Sequence, residues 1–147
     1  MSGLAGRCAA VQRRIHGVIF SDLGQASLFM ALDWVQQALR KILGFAPYPA
    51  TLNVRPSGPR DARLWQQIQR EVAGVPLLSN EAGFCSARLY LVSLQGLACD
   101  GERINGAVLL PAVADYPRDK IEIVAPVRLK EALGVKDGDC LELEFDG

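Results

Sequence analysis

The sequence predicts a mainly β domain, a small closed barrel carrying two or three short helices. Three observations predict it: many short runs with strand character, few stretches of helical period, and turn chemistry such as Asp100-Gly101 between the runs. That pattern favours a closed barrel over a sandwich or a parallel sheet. At 147 residues the chain is one domain's worth, long enough to bury a core without staples.

Residues 15–20 form a β-branched and aromatic run that fits a strand. Turn-forming residues follow, and residues 28–32 resume an apolar stretch, which gives a hairpin-like layout. His16, the one histidine, lies in the first strand, where a lone histidine is more often a surface or packed group than a catalyst. Asp33 is a good N-cap with Gln36 three residues on, and Trp34, Val35, Ala38, Leu39, Ile42 and Leu43 keep helical spacing up to Gly44. This helix has one broad apolar face, and its natural partner is the sheet face carrying Leu52 and Val54.

Pro47 and Pro49 forbid continuation of the helix, and residues 51–55 read as a strand. Side chains at i and i+2 share a face, so Thr51 and Asn53 point one way while Leu52 and Val54 point the other. Two neutral oxygens thus sit side by side. They are poor ligands for an isolated cation but suit a Mg²⁺ that arrives already held by phosphates. Spacing alone ranks a local role first, in which both bond the backbone of their own turn.

After Ser57-Gly58-Pro59, Leu64, Trp65, Ile68 and Val72 recur at helical spacing, which predicts a second helix over 61–73 with Gly74 as its stop. It reads as a lid or as a decoration on the barrel's outside. Strands resume from Phe84: residues 87–94 alternate, with Leu89, Leu91 and Ser93 on one side, and 104–110 follow the Asp100-Gly101 turn. Residues 121–124 make another strand, Pro126 starts a short helix at a favoured first-turn position, and Gly134 ends it. Leu141, Leu143 and Phe145 then alternate with Glu142 and Glu144, a last strand with one wet face.

Half the residues are apolar and 22% charged, an ordinary globular balance. Basic and acidic residues number 16 each, so no global field favours nucleic acid or an anionic membrane, and any anion site must be local. Cys8, Cys85, Cys99 and Cys140 are scattered, without a C-x-x-C pair or clustered histidines, which suggests neither zinc nor a redox dithiol. Reduced thiols are the simplest reading, with Cys85 and Cys140 packed as small hydrophobes. Residues 1–14 are small and basic, lack the apolar core of a secretory signal and read as a flexible tail before a single domain over 15–147. No run approaches the ~20 apolar residues of a membrane span. The expectation is a cytoplasmic monomer that contacts neither nucleic acid nor membrane.

Two motifs carry a resemblance. Gly44-Phe45-Ala46-Pro47-Tyr48-Pro49-Ala50-Thr51-Leu52-Asn53-Val54-Arg55 resembles the GF-x-PY-x-GTLN motif of the archaeal CTP-dependent riboflavin kinases. Ile121-Glu122-Ile123-Val124-Ala125-Pro126-Val127-Arg128-Leu129-Lys130, with Lys136-Asp137-Gly138-Asp139 after it, resembles their second signature. The similarity runs from about Ile15 to the C-terminus. It implies a cradle-loop (RIFT-type) β-barrel that binds CTP and riboflavin, releases CDP and FMN, and uses Mg²⁺.

Carried over residue by residue, the resemblance puts the metal on Thr51 and Asn53, and the nucleotide on the loop Asp22, Leu23, Gly24, Gln25, Ala26 and Ser27 together with Val127, Arg128, Leu129 and Lys130. It puts the flavin side at Ala114 and Glu122. Arg128 and Lys130 add positive charge beside a helix N-terminus, although solvated surface charges are about as good a reading of them. Glu122, between Ile121 and Ile123, faces away from both, where a carboxylate in reach of a ribityl hydroxyl can accept its proton or orient it.

The chain also departs from the pattern. Its 22–27 loop keeps one central glycine where the family has a G-x-G-x-G run; the Cβ atoms of Gln25 and Ala26 and the charge of Asp22 all work against a phosphate cradle. Ala50 replaces the glycine of GTLN, a milder change. Ala114 lacks the hydroxyl the family tends to carry there, although Asp115 and Tyr116 follow at once and are candidates to substitute. The leading functional reading is therefore CTP-dependent phosphoryl transfer to riboflavin. The alternative is a non-catalytic or repurposed barrel that binds a flavin, pterin-like or nucleotide ligand without turnover. A third reading, a barrel used for protein interaction or transcription control, rests only on the tail's likeness to small swapped-hairpin DNA-binding barrels, and the balanced charge and lack of a basic stripe count against DNA.

Overall fold

Burial alternates residue by residue along the last strand, with Leu141, Leu143 and Phe145 inside and Cys140, Glu142 and Glu144 half-buried on the other face. The same period-two pattern marks most strands of the computed structural model, which describes residues 13–21, 30–78, 85–97 and 102–146. Residues 1–12, the 22–27 loop and the Asp100-Gly101 turn lie outside the described residues. In chain order the elements are β1 (Arg13–Phe20), α1 (Asp33–Leu43), β2 (Leu52–Pro56), α2 (Pro59–Glu71), β3 (Val75–Leu78), β4 (Cys85–Gly96), β5 (Ile104–Pro111), β6 (Ile121–Val124), α3 (Leu129–Leu133) and β7 (Cys140–Phe145).

The strands hydrogen-bond in the order β3-β4-β5-β6-β2-β1-β7, and a further pairing of β7 with β4 closes a six-stranded barrel. All the pairings are antiparallel. β4 is long enough to serve two neighbours on one edge, β3 along its first half and β7 from Val92 onward. Closure removes the exposed edges that an open sheet of these strands would present. The closing seam is clamped from outside by Arg103, which donates to Ser93 Oγ at 3.0 Å, Gln95 Oε1 at 2.9 Å and Glu142 Oε2 at 2.9 Å.

The barrel interior holds Ile15, Ile19, Val54, Leu94, Leu141 and Leu143, each almost wholly buried. A second apolar layer lies on the outer face, where Met30, Val35 and Leu39 pack with Leu77, Leu89, Leu109 and Val124. α1 therefore covers the outside of β3 to β6. The expected partner, the face of Leu52 and Val54, is the barrel interior, and periodicity could show only that α1 had an apolar face to bury.

α2 fills that interior instead. Trp65, 1% exposed, stacks on Phe145 with ring centroids 5.5 Å apart and meets Tyr90 edge-on at 5.7 Å. Ile68 joins the same cluster. Asp61 Oδ1 accepts from the His16 backbone N–H at 3.0 Å, tying the first turn of α2 to β1. The helix is a plug, neither a lid nor a decoration. Its bounds are also earlier than expected, with Pro59 in the first turn and Val72 as C-cap.

Other local readings change in the same way. No strand follows β1 among the described residues 30–32; β1 pairs with β2 and β7, so the hairpin-like layout is not formed there. β1 starts at Arg13, inside the segment expected to be tail. Leu32, not Asp33, is the N-cap of α1, and Gln36 Nε2 instead donates to the Met30 carbonyl at 2.6 Å. Pro126 precedes α3, whose N-cap is Arg128. Cys140 is a half-buried free thiol rather than a packed one. The stops at Gly44 and Gly134 are as expected, both left-handed with φ of 81° and 65°. His16 lies on the surface, its side chain 47% exposed. No helix among the described residues is long and apolar enough to cross a membrane.

Because Trp65 is part of the core, Trp65→Ala should cost about 3–5 kcal/mol of stability in urea unfolding, whereas removal of a lid residue would cost almost nothing. The seam makes a pH prediction. The Arg103 hydrogen bond, helped by the charges of Arg103 and Arg14, holds the Glu142 carboxyl below its usual range against the opposing effect of burial. A carboxylate depressed in the folded state contributes stability that is complete above its unfolded pKa, about 4.3, and is lost as pH falls through the folded value. The difference in thermal midpoint between wild type and Glu142→Gln should be largest at neutral pH and close as pH drops below about 4.

Candidate active site

β2 and β6 pair so that Asn53 stands directly opposite Glu122, with Leu52 opposite Ile123 and Val54 opposite Ile121. The apolar partners face into the barrel, so Asn53 and Glu122 share its outer face, and Thr51 is the diagonal neighbour of Glu122 on that face. The row continues across the sheet, since Phe20 pairs with Asn53 and Leu109 with Glu122. Leu109 and Val124, packed with α1, flank Glu122 on one side.

Glu122 is 5% exposed, the one buried charged residue among the described residues. Thr51 Oγ1 lies 3.1 Å from its Oε1, and Tyr116 OH lies 2.5 Å from its Oε2. Both hydroxyls donate and the two carboxyl oxygens accept. Donation by Thr51 leaves the lone pairs of its oxygen free. Asn53 Oδ1 is buried with no hydrogen-bond partner among the described residues. An orphaned amide oxygen beside a hydroxyl with free lone pairs is a donor set for a hard cation. No group of three His, Cys, Asp or Glu able to hold a metal occurs among the described residues, so a cation here would need further oxygens from its ligand.

Thr51 also lines a cleft of about 150 Å³ whose other walls include Tyr48, Ala125 and the post-proline residues Val127, Arg128, Leu129 and Lys130. The Tyr48 backbone N–H donates to the Ala125 carbonyl at 2.7 Å, which stitches the two motifs together. Both cations of the cleft are engaged: Arg128 with Glu131 at 3.1 Å, and Lys130 with Asp137 at 2.9 Å. Asp137 also accepts from Ser21 Oγ at 2.5 Å, a hydrogen bond that, with Lys130, holds its carboxyl below the usual range. Gly138 N–H donates to the Ile19 carbonyl, and Ile19 N–H to that of Asp139. The Lys136-Asp137-Gly138-Asp139 turn thereby fixes the end of β1, and Ser21, the last described residue before the 22–27 loop, lies beside Lys130.

The family model CTP-dep_RFKase, described as "Domain of unknown function DUF120", matches residues 19–145. The chain belongs to this family. It is 31% identical over 131 residues to a riboflavin kinase of Archaeoglobus fulgidus, a match covering 89% of this chain and 54% of that protein. Riboflavin kinases of Pyrobaculum arsenaticum and Methanoregula boonei are each 32% identical, over 89% and 88% of this chain and 60% and 56% of their own length. The chain thus spans somewhat over half the length of these curated relatives.

Of the residues singled out from the sequence, the DUF120 fold brings Thr51, Asn53 and Glu122 into one cluster and joins Thr51 to Val127, Arg128, Leu129 and Lys130 through the cleft. Asp22, Leu23, Gly24, Gln25, Ala26 and Ser27 lie outside the described residues. Ala114 is exposed and offers only a methyl group; from its segment it is the Tyr116 hydroxyl that reaches Glu122, opposite that of Thr51. Ser21 and Asp137 were not singled out, although Asp137 stands in a recognised motif whose physical role only the β1 contacts reveal.

A buried acceptor without a donor costs about 1–3 kcal/mol, and replacing it by an apolar group of similar shape removes that cost. Asn53→Leu should therefore raise the thermal midpoint by a few degrees in ligand-free protein. An unchanged or lowered midpoint would mean that the amide oxygen is satisfied in solution.

Proposed function

We propose that this chain is a CTP-dependent riboflavin kinase unit that transfers the terminal phosphate of CTP to the ribityl hydroxyl of riboflavin, giving FMN and CDP. The observation that carries the reading is a buried carboxylate beside an orphaned amide oxygen, joined through Thr51 to a cleft with two basic side chains. Family membership and the names of its riboflavin kinase relatives support it, and the donor base rests on the family name and the two sequence motifs.

In this reading Thr51 and Asn53 hold the nucleotide's Mg²⁺, which neutralises charge on the phosphates during transfer. Glu122 orients the ribityl hydroxyl and accepts its proton as that oxygen bonds to phosphorus and the bond to the CDP oxygen breaks. Arg128 and Lys130 release their carboxylate partners to meet phosphate, an exchange of one anion for another. Positioning and charge neutralisation supply most of what phosphoryl transfer requires, so this small set of groups suffices.

Purified protein given Mg²⁺, riboflavin and either CTP or ATP should form FMN, resolved from riboflavin by chromatography, with CTP the preferred donor. Thr51→Val and Asn53→Leu should each lower turnover at least tenfold while remaining folded. Absence of FMN where an authentic family member makes it, with calorimetry still detecting flavin or nucleotide, would establish the non-catalytic binding barrel instead.

A further inference from the structure

Resting on that reading, we infer that Tyr116 is the positioning residue of the acceptor side: it sets the Glu122 carboxylate for the incoming hydroxyl, in the place where Ala114 has none to offer. A glutamate side chain has three rotatable bonds, and a reacting carboxylate must be held to a fraction of an ångström. Glu122 is held at both ends, Oε1 by Thr51 on the side of the nucleotide cleft and Oε2 by Tyr116 on the other. Each oxygen has a second lone pair, so the Tyr116 bond fixes the group without occupying it.

The tyrosine is itself held. Its turn, residues 112–120, is tethered at two residues, one to α2 and one to β2. Arg118 and Gln66 of α2 exchange contacts, Arg118 Nη2 to Gln66 Oε1 at 3.3 Å and Gln66 Nε2 to the Arg118 carbonyl at 3.4 Å. Asp119 pairs with Arg55 of β2 at 3.4 Å, and Arg55 lies over the Phe20 ring of β1 at 4.3 Å. A cleft of about 210 Å³ opens between α2 and this turn, walled by Trp65, Leu110, Val113 and Tyr116. Tyr116 stands between this cleft, which it lines, and Glu122, whose Oε2 its hydroxyl meets. α2 thus does double duty, plugging the barrel and buttressing the turn that carries Tyr116.

The test is a double-mutant cycle on riboflavin affinity, read by quenching of flavin fluorescence, with Tyr116→Phe and with Glu122→Met, which keeps the shape but not the acceptor. Tyr116→Phe should weaken riboflavin binding about tenfold, as expected for loss of a hydrogen bond to a charged group, and leave Mg²⁺–CDP affinity within twofold. In the Glu122→Met background the same substitution should change riboflavin affinity by less than twofold. Unchanged riboflavin affinity in Tyr116→Phe, an equal loss in both backgrounds, or a parallel loss of CDP affinity would each overturn the assignment. Wild type that binds no riboflavin would overturn the kinase reading and this one with it, whereas the other three failures leave the kinase reading standing.

Discussion

The register between β2 and β6 is the constraint on which the site depends. With Asn53 opposite Glu122, the paired apolar residues Leu52, Val54, Ile121 and Ile123 face the barrel interior, while Asn53 and Glu122 face out, on the side where Val124 packs with α1. A slip of one residue in either strand would turn its set over, placing an amide or a carboxylate in the core and isoleucine or leucine on the outer face. The burial of Leu52, Val54, Ile121 and Ile123 therefore aligns the polar cluster without any contribution from the cluster itself. The reverse also holds. Glu122 and Asn53 add little to stability, since one is a buried carboxylate satisfied by neutral hydroxyls and the other has an orphaned oxygen.

What was legible in the sequence follows from which physical terms are local. β6 was readable to the residue because a four-residue apolar run with one glutamate is bounded by a proline, and the stops at Gly44 and Gly134 because left-handed caps are a property of one residue. β3 was missed because Pro76 argues against a strand; it is tolerated here because β3 is the edge of the sheet, where its lack of an N–H breaks no ladder. The two helices show the other limit. Each has a clear apolar stripe, but which surface it covers is a matter of topology, and the chain sends the later helix inside and the earlier one outside.

The candidate site divides along the same line. Alternation alone put Thr51 and Asn53 on one face and Glu122 opposite its apolar neighbours, all of which the geometry has. That these two segments meet across a ladder is a long-range pairing with no local signal, carried in the sequence only through resemblance to other chains. Tyr116 illustrates the difference well. A hydroxyl near Ala114 was visible, but its destination, Oε2 of a carboxylate six residues on, depends on how the 112–120 turn is tied to α2 and β2.

The charges of the cleft show how local positive charge is kept in a chain with no net charge. Arg128 and Lys130 are each paired with a nearby carboxylate, and those pairs are solvent-exposed and contribute little to stability. Holding them in this way keeps like charges from repelling and orders two long side chains at little energetic cost. A polyphosphate presents more oxygens than a single carboxylate and takes two cations at once, so displacement of Glu131 and Asp137 is a favourable exchange in the proposed reading. Lys130 also reaches Ser21, so the same exchange is felt at the last described residue before the 22–27 loop.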